Sequence, residues 1–105
     1  DNRRYLKYLR VRLNTDIAKL KELVERIREL IETHPETIPL ERYVRFENID
    51  DDAFVIVINC YVTVSGRVKY KLIEEKLNFQ VMEIVADTGV ELAIPEYNVS
   101  VNKDT

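Results

Sequence analysis

The stretch FVIVINCYVTV, residues 54–64, gives the strongest indication of the fold. Its apolar side chains alternate, as they do in a β-strand, where successive residues point to opposite faces. One face carries Phe54, Ile56, Ile58, Cys60, Val62 and Val64. The other face begins with Val55 and Val57 before it becomes polar. Apolar residues on both faces predict a central strand that is covered on both sides where it begins.

The elements on either side of this stretch follow from the same kind of pattern. Residues 5–13 and 42–47 alternate as further strands. Between them, apolar residues at spacings of three and four predict an amphipathic helix that ends near His34, before a proline. A second helix is predicted over residues 67–88, with Gly89 as its C-terminal cap, because glycine adopts a left-handed backbone most easily.

The predicted order of elements is strand, helix, strand, strand, helix, strand. This is the order of a ferredoxin-like βαββαβ sandwich, an α+β fold with a four-stranded antiparallel sheet and two helices on one face. Its last strand would come from the residues after Gly89. There the apolar residues alternate on both sides of Pro95, but they change from even to odd positions. The two sets are Val90, Leu92 and Ile94, then Tyr97, Val99 and Val101.

A change of phase by one residue turns the second set toward the opposite face of a continuous sheet. We therefore expect the domain to end at the proline. Residues 1–95 would form the ferredoxin-like domain, and residues 96–105 a C-terminal tail with a short extra strand that packs elsewhere.

The second predicted helix carries two apolar stripes. The first, typical of a core face, contains Tyr70, Ile73, Leu77, Val81 and Ile84. The second, on roughly the opposite side, contains Val68, Leu72, Phe79, Met82 and Ala86. A helix that covers a sheet in a monomer normally has a polar outer face. The second stripe therefore requires a neighbouring subunit or domain, or else it is covered by loops or by the C-terminal tail.

The composition indicates one compact globular domain. The chain has 105 residues, of which 46% are hydrophobic and 33% are charged. Its net charge of −3 disfavours a nucleic-acid partner. A single cysteine indicates a reducing compartment, and neither a membrane-spanning run nor a signal peptide is recognisable. Because the sequence begins with Asp1 inside a predicted strand, we expect a segment of a longer protein or a processed protein.

No catalytic, cofactor or metal site is predicted. Asp50, Asp51 and Asp52 are adjacent rather than alternate and lack the glycine of a calcium loop, so they are interpreted as a solvated turn. His34 has no second histidine with which to form a zinc site. Cys60 lies among apolar residues, where a thiol is a core residue rather than a nucleophile. The single histidine does not give a convincing Ser-His-Asp set.

The sheet face away from the helices carries residues that could form an RNA-binding surface. Tyr8 and Tyr61 could stack on bases, with Arg10 and Arg12 beside them, as in RNA-recognition domains. However, the glycine–aromatic signature of those domains is absent from the third strand, which reads INCYVTV over residues 58–64. The sequence therefore disfavours a nucleic-acid partner.

Four segments together resemble a known family. They are IRELIETHPE (27–36), VRF (44–46), FVIVINCYVTV (54–64) and ADTGVELAIPEYNVSV (86–101). In this order they are similar to the C-terminal cytoplasmic α/β domain of small-conductance mechanosensitive channels, the MscS family. The last segment departs from the family pattern at two positions, because Ala93 replaces a proline and Glu96 replaces the usual glutamine.

The resemblance implies a non-enzymatic structural domain without cofactors. Members of the family are homo-oligomeric membrane channels, typically heptamers, that open under membrane tension and release solutes during hypo-osmotic shock. In them this domain is a soluble part of the cytoplasmic vestibule wall, and the last strand joins a β-barrel on the symmetry axis. The predicted oligomer interface comprises Tyr97, Val99, Val101, Val68, Leu72, Phe79 and Met82.

Two other functions remain as alternatives. A ferredoxin-like regulatory module would bind a small ligand and dimerise, but the sequence has no glycine-rich loop to hold a phosphate. An acyl-phosphate hydrolase of the same fold would need an anion-binding loop after the first strand. That junction reads RLNTD, residues 12–16, and contains no glycine.

Overall fold

A computed structural model of the chain describes residues 2–64 and 67–94. The described part contains three strands and two helices. They are β1 (Asn2–Val11), α1 (Ile17–Thr33), β2 (Thr37–Ile49), β3 (Phe54–Thr63) and α2 (Arg67–Thr88). The order of these elements and the limits of α2 agree with the prediction, whereas β1 and β2 begin earlier than predicted.

The predicted central strand, β3, lies in the middle of the sheet. The strand order is β1-β3-β2, and both neighbours run antiparallel to β3. β1 and β2 are therefore parallel to each other, as in a split βαβ unit. The side chains of Val55 and Val57, on the face without helices, are 8% and 2% exposed. Both faces of β3 are therefore covered where the strand begins, as predicted.

β2 pairs with β3 along an interrupted register. Ile38 pairs with Tyr61, and the next paired residue of β2, Tyr43, pairs with Asn59. Four residues of β2 therefore lie opposite one residue of β3 and form a bulge. Within this bulge Glu41 has a φ of 46°, a left-handed conformation that is uncommon for residues other than glycine. Bulges and prolines are typical of edge strands, and β2 lies at an edge of the described sheet.

The four-stranded sheet is not confirmed, because the described sheet has three strands. The residues after α2 contribute one antiparallel bridge, between Val11 and Leu92. Two hydrogen bonds flank it, from Arg12 N to Glu91 O at 3.1 Å and from Ala93 N to Arg10 O at 2.8 Å. Five residues separate Gly89, the cap of α2, from Pro95. Proline has no amide proton to donate to a neighbouring strand, so a strand here would be short. The predicted extra strand, 96–105, lies outside the described residues.

Both helices pack on one face of the sheet. The core joins the even-numbered face of β3, from Ile56 to Val64, to the apolar sides of α1 and α2. The predicted core stripe of α2 is buried, and Leu77 in it is 0% exposed. Gly89 follows α2 with a φ of 76°, which agrees with its predicted role as a cap.

Candidate functional site

The outer side of α2 exposes the second apolar stripe. The side chains of Leu72, Phe79 and Met82 are 60%, 65% and 44% exposed, and we call these three residues the outer stripe. They extend over about 15 Å of helix, at a rise of about 1.5 Å per residue. Ala86, from the same predicted set, is also exposed. Within the described residues no loop covers the outer stripe, and its role as an interface stays a prediction.

Four residues of the predicted interface cannot be placed. Tyr97, Val99 and Val101 lie outside the described residues, and so does the side chain of Val68. The part of the interface that the structure describes is therefore the outer stripe.

Two lysines near the outer stripe lie close to acidic residues. Lys76 contacts Glu36 at 3.4 Å, and Lys71 contacts Glu74 at 3.3 Å. Glu74 also contacts Lys7 at 2.9 Å, and hydrogen bonding to Lys7 lowers the pKa of this carboxyl group. These two lysines of α2 thus have acidic partners within the chain.

The acidic residues beside Phe79 differ from the lysines. Glu75 and Glu83 precede and follow Phe79 by four residues each, so they lie on the same side of the helix. Both are exposed, and neither forms an ion pair among the described residues. The outer stripe is therefore an apolar ridge with two acidic groups beside its most exposed side chain.

A second apolar surface, which the sequence did not reveal, lies between α1 and β2. We call it the α1–β2 groove; its volume is about 490 Å³. It is lined by Ile17, Leu20, Lys21, Val24, Glu25, Arg28 and Phe46. Ile17 and Phe46 are 55% and 44% exposed, although the apolar patterns of α1 and β2 assign both to the core side.

The two arginines beside the candidate RNA-binding tyrosines form ion pairs with carboxylates of the same chain. Arg10 donates to Asp50 at 2.8 Å and also to Asp52, and the bond to Asp50 raises the pKa of Arg10. Arg12 contacts Glu91 at 3.3 Å. The acidic turn is thus joined to β1 by ion pairs. Of the aromatic candidates, Tyr8 is 59% exposed, but the arginine beside it is already neutralised.

His34 is a buried structural residue at the end of α1. Its Nδ1 accepts a hydrogen bond from Glu36 N at 3.1 Å, and its Nε2 lies 3.2 Å from Oε1 of Gln80. The first bond assigns the proton to Nε2, which then donates to Gln80. The ring thus links the start of β2 to α2. The described residues contain no group of three or more His, Cys, Asp or Glu side chains that could hold a metal ion.

Cys60 is expected to react with thiol reagents very slowly in the folded protein. Its side chain is 0% exposed, and burial raises the pKa of the thiol to about 11, an effect that Arg42 partly offsets. Because the thiolate is the reactive form, the folded chain should modify much more slowly than the chain in denaturant. The rate of reaction with a chromogenic disulfide, measured with and without denaturant, checks this. Equal rates would show that Cys60 is accessible in the native state.

The family follows from comparison with known proteins. A family model described as "Mechanosensitive ion channel MscS, C-terminal" matches residues 9–92, which is most of the chain. The chain belongs to the MscS family of mechanosensitive ion channels and corresponds to the C-terminal domain of its members. This is a channel family rather than an enzyme family. Among the described residues, no helix is long and apolar enough to cross a membrane.

Two longer proteins are similar to the chain in sequence. The chain is 34% identical over 104 residues to an MscS family protein of Aquifex aeolicus, covering 98% of this chain and 28% of that protein. It is 32% identical to the small-conductance mechanosensitive channel MscMJ of Methanocaldococcus jannaschii, covering 99% and 29%. The chain thus spans less than a third of the length of these relatives.

The fold is also similar to part of a solved channel structure. The cryo-EM structure of Arabidopsis thaliana MSL1 superimposes with a TM-score of 0.78 at 11% identity, covering 90% of this chain and 34% of that one. The observed arrangement of two helices on an antiparallel sheet is therefore shared with part of that structure.

Proposed function

We propose that this chain forms part of the wall of a cytoplasmic vestibule in a homo-oligomeric MscS-family channel. The full channel, typically a heptamer, would release ions and small solutes under membrane tension during hypo-osmotic shock. The observation that carries the proposal beyond family membership is the exposed outer stripe of α2. In this proposal the gate and the membrane-crossing path belong to parts of the channel outside this chain.

The outer stripe supports assembly on energetic grounds. A solvated helix that covers a sheet has no need of exposed Leu, Phe and Met side chains on one side. Burying such a side chain completely against a neighbour contributes roughly 1.5–3 kcal/mol. In a cyclic oligomer each copy buries the same surface, so the contribution is repeated at every interface.

The second part of the proposal concerns the tail. We propose that Tyr97, Val99 and Val101 join the equivalent strands of the other copies in a closed β-barrel on the symmetry axis. A closed barrel leaves no unpaired strand edge. The charged surface of the wall would select solutes at side openings through its local potential.

Deleting residues 96–105 is expected to leave the domain folded and to weaken assembly. Residues between Tyr5 and Leu92 already form a continuous core of both helices and the sheet, so we expect the thermal unfolding of the 105-residue chain, followed by circular dichroism, to change little. The same deletion in the full-length channel should reduce the fraction that elutes as a ring of about seven copies, measured by light scattering.

A full-length channel of unchanged mass after the deletion would contradict the barrel. Global unfolding of the shortened chain would instead show that the tail belongs to the core of the monomer. A stable dimer of the full-length protein, or saturable binding of a nucleotide or amino acid to this domain, would favour the regulatory-module alternative and overturn the vestibule proposal.

A further inference from the structure

We propose that the outer stripe of α2 in one copy docks into the α1–β2 groove of the next copy. The inference rests on the proposed homo-oligomer and names the two surfaces that would meet in it. In this contact Phe79, the aromatic residue of the outer stripe, inserts into the groove. The occupant of the groove is therefore a second copy of this chain.

The two surfaces have complementary shapes. The outer stripe is a ridge on a helix, whereas the α1–β2 groove is a concave surface with Ile17, Val24 and Phe46 in its lining. Phe46 is fixed there by an edge-to-face contact with Phe54, at a centroid distance of 5.4 Å.

The charges are also complementary. Lys21 and Arg28 line the groove seven positions apart on α1, a separation of about 10 Å along the helix. Glu75 and Glu83 are eight positions apart on α2, or about 12 Å. With Phe79 between Lys21 and Arg28, each glutamate comes close to one of these cations. Glu25 is the one acidic residue of the groove lining, so the lining remains net positive.

None of the four charged residues has an ion pair within its own chain, among the described residues, that would compete with the proposed contact. Glu75, Glu83, Lys21 and Arg28 form no salt bridge among the described residues. Arg28 donates one hydrogen bond, to Val44 O at 2.6 Å, which holds its guanidinium at the groove and leaves other N–H groups to donate. By contrast, Lys71 and Lys76, which would repel the groove, are paired with acidic residues of their own chain.

The two surfaces lie on different flanks of the helical layer. α1 contacts α2 through Arg26 and Asp87, 3.2 Å apart, and through His34 and Gln80. The groove lies on the other flank of α1, toward Phe46 of β2. A contact between two different surfaces is heterologous, so every copy offers one of each to its neighbours. Such a contact closes into a ring when the rotation between copies allows it.

Charge reversal tests the contact. The stripe-reversed chain carries Glu75→Lys and Glu83→Lys, and the groove-reversed chain carries Lys21→Glu and Arg28→Glu. Each chain alone should self-associate at least about tenfold more weakly than the unmodified chain, measured by sedimentation equilibrium, because like charges would meet. An equimolar mixture should regain association, since each reversed surface finds its complement. Added salt should weaken the unmodified contact.

Controls separate loss of docking from loss of folding. Circular dichroism must show both reversed chains folded, and Lys21→Glu alone serves if the loss of the Arg28 bond to Val44 O perturbs the fold. As a second measurement, chains with Phe79→Cys and Lys21→Cys, when mixed, should form a disulfide-linked dimer faster than chains with Phe79→Cys and Glu29→Cys. Glu29 is an exposed residue of α1 outside the groove lining.

Several results would overturn the inference. It fails if the unmodified chain stays monomeric at its highest soluble concentration, or if the reversed chains associate as strongly as the unmodified chain. It also fails if mixing the two reversed chains does not restore association, or if Glu29→Cys forms the disulfide with Phe79→Cys as fast as Lys21→Cys does. If the reversed full-length channel still forms its ring, the docking contact is wrong and the vestibule proposal stands. If the unmodified full-length protein forms no ring, the vestibule proposal itself fails.

Discussion

Replacing Leu77 with alanine is expected to lower the free energy of unfolding by about 2–5 kcal/mol. Leu77 is 0% exposed and lies in the core formed by both helices and the sheet. Its removal costs the transfer free energy of the lost carbons and leaves a cavity that rigid neighbours fill only in part. Urea denaturation of the 105-residue chain measures the change, provided that the slope of free energy against urea is unaltered.

Phe79→Ala is the matched control on the same helix. Its side chain is 65% exposed, so the substitution should change the stability of the monomer by about 0.5 kcal/mol or less. The same substitution should weaken self-association. If both substitutions destabilise the monomer equally, the outer stripe is covered within the chain, and the two stripes of α2 do not have different functions.

The two stripes show what periodicity predicts well. A helical repeat fixes which side chains share a face, so the burial of Leu77 and the position of Phe79 on the opposite side of the helix followed from spacing alone. The central position of β3 followed in the same way from apolar residues on both of its faces. These properties depend on local sequence, which is why the structure agrees with them.

The departures arise from long-range geometry. Whether residues 90–94 form a strand depends on how many backbone groups reach the edge of β1, and one bridge forms, at Leu92. The α1–β2 groove was missed because Phe46 alternates with polar neighbours as a core residue does. Its exposure depends on its place on an edge strand, a property of the sheet order that a strand's own sequence does not contain. The available signal in the sequence was a pair of basic residues, Lys21 and Arg28, seven positions apart among the apolar residues of α1.

Asn59 is the buried polar residue whose loss should matter most on the face of the sheet without helices. It is 1% exposed. Its Oδ1 accepts a hydrogen bond from Nε of Arg4 at 2.6 Å, and its Nδ2 donates to the carbonyl oxygen of Glu41, also at 2.6 Å. The second bond holds the bulge of β2 where Glu41 adopts its left-handed conformation. One amide therefore joins all three strands of the sheet.

Asn59→Leu is expected to lower the free energy of unfolding by about 1–3 kcal/mol, because it leaves the Glu41 carbonyl without its donor and Arg4 without its acceptor. Leucine has the same branched shape and is not smaller than asparagine, so the loss does not come from a cavity. Asn48→Leu is the control, since the side chain of Asn48 is exposed and, among the described residues, hydrogen-bonds to Asp50 alone. Urea denaturation gives the stability, and amide hydrogen exchange should show faster opening of residues 38–43 in the Asn59 variant. Equal stability of the two variants would mean that Tyr43 and its neighbours hold the bulge without Asn59.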